Sequence, residues 1–201
     1  MTLDHVRSLV TVADEEMLPL PELFLHRSTL HGQSHVGRVM IHALRLVEAT
    51  GCVDDARRLW AAVYLHDLAR THDGREKGHG AAAWQRLETL SDVRDLFARA
   101  GVRESDLPAI QAAVTLHSRG EASEGSPYQR VTDLLKDADG LDRVRLGDLE
   151  PHNLRTPAAR TMVGFAQRLY DETDGQCPLS AEHFACLWSR TFRILAEQRK
   201  S

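Results

Sequence analysis

The sequence predicts an all-α chain. Apolar residues recur at three- and four-residue spacing along much of it, which is the mark of helices with one buried face. No stretch alternates apolar and polar residues with the period of two that a strand requires. Glycine, proline and polar clusters cut the chain into helix-sized pieces. Seven or more helices are expected, in one domain spanning residues 1–201.

Taken in order, residues 2–16 read as a first helix, ended by the prolines of LPLPELF, since proline lacks the donor a helix needs. A second is expected from Pro21 to about Leu30. HVGRVMIHALRLVEAT is the clearest amphipathic pattern, with Val36, Val39, Met40, Ala43 and Val47 on one face and Gly51 as the stop. VDDARRLWAAVYLHDLA opens with acids, which suit a helix N-terminus, and is apolar all round from Leu59 to Leu65. That marks a central, buried helix. THDGREKGHG reads as a loop and GAAAWQRLETL as a restarted helix. Residues 92–99 form another, broken by Gly101. SDLPAIQAAVTLHS follows, with Ser105 as N-cap and a proline in its first turn. RGEASEGSP is a polar loop expected to be mobile. In YQRVTDLLKDADGLDRVR, residues Val131, Leu134, Leu135, Ala138 and Leu141 face inward. After LGDLEPHNLRTP, residues 158–172 and 180–198 supply the last two helices. Trp60, Trp84 and Trp188 read as core.

Composition narrows the function classes. A net charge of −4 gives no broad field for nucleic acid or an anionic membrane surface. The first residues, MTLDHVRSLV, carry early charges, so neither a signal peptide nor a transmembrane helix is expected. Three cysteines, Cys52, Cys177 and Cys186, show no Cys-x-x-Cys spacing. No disulfide framework or structural zinc site is expected, and the natural setting is a reducing cytoplasm. The oligomeric state is not legible.

Ionisable groups on core faces carry the chemistry. His35 opens the strongest amphipathic helix, His66 and Asp67 close the central one, and Asp139 lies four residues after Leu135 on an inward face. A bare aspartate on such a face is costly unless paired or bound to a cation. His66 and Asp67 point ~100° apart on a helix yet can converge on an ion off its end. Two imidazoles and two carboxylates suit a divalent transition metal: Mn, Fe, Co, Ni or Zn.

In this order and helical context, His35, His66–Asp67 and Asp139 resemble the H…HD…D signature of the HD-domain metal-dependent phosphohydrolase superfamily. HVGRV resembles the family's first-histidine helix, YLHDLAR its apolar-then-HD helix and LLKDADGLDRV its final ADxLD motif. The resemblance spans roughly residues 30–145, the expected core, with the C-terminal helices over 155–198 packed on it. It implies a multi-helix bundle with a buried metal, held by His35, His66, Asp67 and Asp139. It further implies hydrolysis of a phosphate ester in a small substrate, most often a nucleotide. The metal would polarise a phosphoryl oxygen and activate water, with Asp67 orienting or deprotonating that water. Some members bind a second ion through two further histidines, and His79 and His117 lie in the matching interval. Both also fit phosphate binding or ordinary helix-end roles. The HD-GYP signature of cyclic-dinucleotide phosphodiesterases is absent.

Arg70, one turn past His66, is the cation expected to grip phosphate in catalysis. His31, Lys77 and Arg119 are further substrate-binding candidates; His31 reads equally as a surface residue, and Lys77 and Arg119 read more readily as surface charges. Asp137 reads as solvated, and Asp142 as paired with Arg145. Some relatives carry a catalytic glutamate soon after the dyad. None stands between Leu68 and Arg75 here, so the general base stays open. Two other functions compete. A di-iron oxygenase would need six ligands, so both His79 and His117 would have to bind. A non-catalytic nucleotide sensor would need no open metal position.

Overall fold

In the computed structural model, which describes residues 1–120, 122 and 124–200, every regular element is helical. Glu121 and Ser123, in the expected polar loop, lie outside the described residues. The α-helices are α1 (Leu3–Ser8), α2 (Gln33–Thr50), α3 (Ala56–Leu65), α4 (His79–Arg86), α5 (Ser91–Arg99), α6 (Leu107–Leu116), α7 (Gln129–Leu141), α8 (Pro157–Thr161), α9 (Val163–Thr173) and α10 (His183–Gln198).

Helix α2 is central. It packs against α1, α3, α7, α9 and α10, while α6 lies across α3, α4 and α7. The expected apolar stripe Val36, Val39, Met40, Ala43 and Val47 is buried, and Gly51 ends the helix at φ +72°, the left-handed conformation that only glycine adopts without strain. A second, polar stripe runs along the same helix through His35, Arg38 and His42, all buried. Helix α3 is enclosed from Leu59 to Leu65, and its Trp60 indole donates to the Met17 carbonyl at 3.1 Å. On α7 the five expected inward residues are buried.

Several boundaries differ from expectation, each for a local reason. The first helix stops at Ser8, because the Arg7 guanidinium turns the chain back by donating to the Val10 and Val12 carbonyls and to Asp14. No helix spans Pro21–Leu30. A single turn covers Pro21–Leu23, and the Ser28 hydroxyl then takes the Leu30 and His31 N–H groups, competing with helical bonds. Asp106 accepts from the Arg103 N–H, so α6 begins at Leu107 and Ser105 is no cap. The expected 158–172 helix is two, divided at Met162. Trp60 is core, but Trp84 and Trp188 are only partly buried. Cys177 and Cys186 form a disulfide across the α9–α10 connection, contrary to the expectation of none. Their spacing of nine residues gives no motif, and only the turn between the helices brings them together.

Candidate metal centre

Helix ends build the centre. His35 lies in the first turn of α2, His66 caps the C-terminus of α3 with Asp67 beside it, His79 begins α4, His117 caps α6, and Asp139 is in the last turn of α7. The dyad segment is pinned through the Leu68 carbonyl, which accepts from the Leu25 N–H at 3.1 Å and from Arg86 at 2.8 Å. The approach of α4 to α6 depends on Gly80. A β-carbon there would stand 2.0 Å from the Val114 carbonyl oxygen, so only glycine lets His79 reach His117.

These side chains fall into two triplets joined by one carboxylate. His35, His66 and Asp139 bring one ligand atom each within 4.8 Å of one another, and Asp67, His79 and His117 do the same. Asp67 Oδ2 faces the first group, 3.4 Å from His35 Nε2 and 3.7 Å from His66 Nε2. Its Oδ1 faces the second, 3.0 Å from His79 Nε2 and 3.9 Å from His117 Nε2. His35 Nε2 also lies 3.3 Å from Asp139 Oδ1.

Each of the four rings is held through its other nitrogen. Nδ1–H of His35 donates to Asp142 at 2.8 Å, that of His66 to the Val63 carbonyl at 2.7 Å and that of His117 to the Val114 carbonyl at 2.6 Å. His79 donates likewise to the Glu76 carbonyl. In the neutral form of the rings, all four Nε2 atoms therefore present lone pairs. They meet one another, at 3.3 Å for His35 and His66 and 2.7 Å for His79 and His117, among carboxylate oxygens. The cluster is rich in buried acceptors, with the Arg70 guanidinium as the neighbouring donor, 3.5 Å from His79 Nε2 and 3.7 Å from Asp67. Such an excess of imidazole and carboxylate acceptors favours cations, and residues of this chemistry fit divalent metal ions.

The electrostatics agree. Burial holds the His66 imidazole down to about 4, so it is neutral and able to ligate. Burial and Arg145 lower His35, but Asp139, Asp142 and Asp67 outweigh them and raise it to about 9. That pull toward a proton expresses the same excess of lone pairs. Burial favours the neutral acid at Asp67, yet the surrounding imidazoles, His66 foremost, hold its carboxyl well below the usual range. Asp139 is also far below it, burial being overcome chiefly by His35.

Two cavities open from the centre, of about 470 and 840 Å³, and His117, Asp139 and Arg143 line both. His31 and Arg70 line the narrower one. Arg70 is buried, donates to the Gly74 carbonyl at 2.7 Å and stands 3.7 Å from Asp67. His31 meets His35 edge-on, with ring centroids 5.9 Å apart. Lys77 and Arg119 do not line either cavity. The Arg119 guanidinium instead donates to the Lys77 carbonyl at 3.0 Å, tying the two loops together.

Sequence reasoning missed three participants. Asp142 is fully buried and holds both His35 and the Arg38 guanidinium, at 2.6 Å, while its contact with Arg145 is the longer one at 3.5 Å. Its spacing of three from Asp139 on one helix face was the available signal. Arg143 and Arg145 carried none, because the turn after α7 aims them at the cavity. Asp137, expected to be solvated, is buried and accepts from the Arg155 and Thr156 N–H groups, both at 2.7 Å.

Compared with known proteins, residues 32–144, more than half of the chain, match the family model described as HD domain. No curated protein and no solved structure gives a match.

Proposed function

The chain belongs to the HD domain family, and from that premise we propose that it is a metal-dependent phosphohydrolase acting on a small phosphate ester, nucleotides included. In this reading His35, His66, Asp67 and Asp139 hold one divalent ion, and Asp67, His79 and His117 a second. Mn, Fe, Co, Ni and Zn all suit the donors. The observation that carries it is the convergence of four Nε2 lone pairs on the shared Asp67 carboxylate, with cations lining the adjoining cavity. When bound, the ions supply Lewis-acid polarisation of a phosphoryl oxygen and lower the pKa of a water.

The chain's own residues do the rest. Arg70, fixed by Gly74, presents its guanidinium edge to phosphoryl oxygens, with Arg75 and Arg145 lining the same cavity. His31 lies at its wall to contact the substrate. Asp67, shared between the two triplets, orients the attacking water. The water oxygen bonds to phosphorus, the ester P–O bond breaks with its electron pair leaving on the departing oxygen, and the proton that the water gives up ends on that oxygen.

A second reading has one observation in its favour. Six side chains meet, the number a di-iron oxygenase requires. The arginine-lined cavity favours phosphate. Metal analysis with a phosphoester panel decides. About two ions per chain with phosphate release is the expected result, and Asp67→Asn should lose both. Metal-loaded protein inert on every ester would overturn the hydrolase reading, and two irons with oxygen uptake would install the alternative.

A further inference from the structure

We propose that the wider cavity receives the leaving group of the ester, and that this group is a neutral, hydroxyl-rich one, a sugar or polyol and not a nucleobase. The inference rests on the phosphohydrolase reading. It begins with the shared wall. Because His117, Asp139 and Arg143 line both cavities, a phosphorus atom held there has one space on each side. The narrower space carries Arg70, Arg75 and Arg145, which suit the non-bridging oxygens. The ester substituent is left the wider space, about 840 Å³, ample for a small organic group.

That space is polar, and among the described residues its charges are matched in number, Lys136, Arg143 and Arg155 against Asp133, Asp148 and Glu150, with Asp139 given to the metal centre. Arg143 pairs with Asp148, and Arg155 stands 3.9 Å from Asp133 and 3.8 Å from Asp137. Charges already matched within the wall offer little to a second phosphate or to an ammonium group. Among the described residues no phenylalanine, tyrosine or tryptophan lines it, and its arginines are engaged with carboxylates. Proteins that hold bases use aromatic or guanidinium planes for stacking, and the rings on this described wall are two imidazoles, His117, which the metal centre uses, and His152. It offers acceptors and amides instead. Asn153 has its side-chain amide uncommitted among the described residues, and beside it Gln129, whose Oε1 accepts from the Gly125 N–H at 3.2 Å, keeps an amide N–H donor. Hydroxyl groups, each both donor and acceptor, are the complement of such a lining.

The test uses the metal-loaded full chain with glucose 6-phosphate, glycerol 3-phosphate, AMP, GMP and p-nitrophenyl phosphate. At least one of the two polyol esters should exceed both nucleotides in kcat/KM by about tenfold, the worth of one or two hydrogen bonds. Asn153→Leu should lower that kcat/KM about fivefold, mainly through KM, and p-nitrophenyl phosphate, whose aryl group enters the same space but offers no hydroxyl to the amide, should lose less, so that the ratio of polyol-ester to p-nitrophenyl phosphate kcat/KM falls. Preference for a nucleotide, or equal loss on both kinds of ester, would overturn the proposal. Failure to cleave any ester would instead remove the hydrolase reading. Thermal-shift binding of the same esters then still scores the cavity: stabilisation by a polyol phosphate and not by AMP supports the assignment, and any other pattern overturns it.

Discussion

Asp142 shows how much one residue can carry without touching the proposed ion. It fixes the His35 tautomer and neutralises Arg38 in a site closed to solvent. Asp142→Asn keeps the shape but removes the charge. Metal affinity should fall roughly 10–100-fold, and stability by about 3 kcal/mol as Arg38 loses its buried carboxylate and keeps only Asp174, 3.8 Å away. Metal titration of the folded variant and urea melts check the two effects. His42, further along the same stripe, is fully buried with neither ring nitrogen hydrogen-bonded, and burial lowers it to about 3. Between its ordinary value of 6.5 and about 3 the unfolded chain binds a proton there that the native state does not. Stability therefore falls on acidification across that window, by up to ~1.4 kcal/mol per pH unit from this group. His42→Leu should flatten the acid limb by that slope and change little above pH 7 (urea melts from pH 4 to 8). His35, His66, Asp67 and Asp139 were legible because a carboxylate or imidazole among core positions conflicts with burial, whereas His79 and His117 were reached only through the family resemblance, with helix-end roles left open. Asp142 was not, since a plausible surface pair with Arg145 explained it away.

At the scale of elements, the amphipathic α2 and the all-round apolar α3 could be read directly, because their periodicity states which faces are covered. The segments before α2 could not. Arg7 and Ser28 spend side-chain donors and acceptors on nearby backbone, and residues 2–16 and Pro21–Leu30 lose their helical bonds to that competition. The disulfide that ties the α9–α10 connection to α10 was equally hidden, as sequence spacing says nothing about how a connection turns. Helix α4 is placed by the Gly80 contact with the Val114 carbonyl. Gly80→Ala should push α4 away from α6 and separate His79 from His117, while His35, His66 and Asp139 stay where they are. We expect metal content to drop from about two ions per chain to about one, read by elemental analysis of the purified variant.

The whole molecule gathers its site from helices far apart in sequence, and the region that matches the family begins only at residue 32. Just inside that boundary stands Gln33, buried two residues before His35. Its side-chain amide donates to the Pro19 carbonyl at 3.1 Å and to the Ser180 carbonyl at 3.0 Å, one on either flank of the matched stretch. Both flanks thus grip the start of the helix that carries the first histidine. Trp60 adds to the grip through Met17, and α10 covers the far side of α2. Excising residues 32–144 as a minimal fragment should therefore yield a loosely packed species that binds dye, gives weak near-ultraviolet dichroism and fails to retain ions. The signature of the family is portable on paper, but its physical hinges are bolted to a frame that the signature does not include.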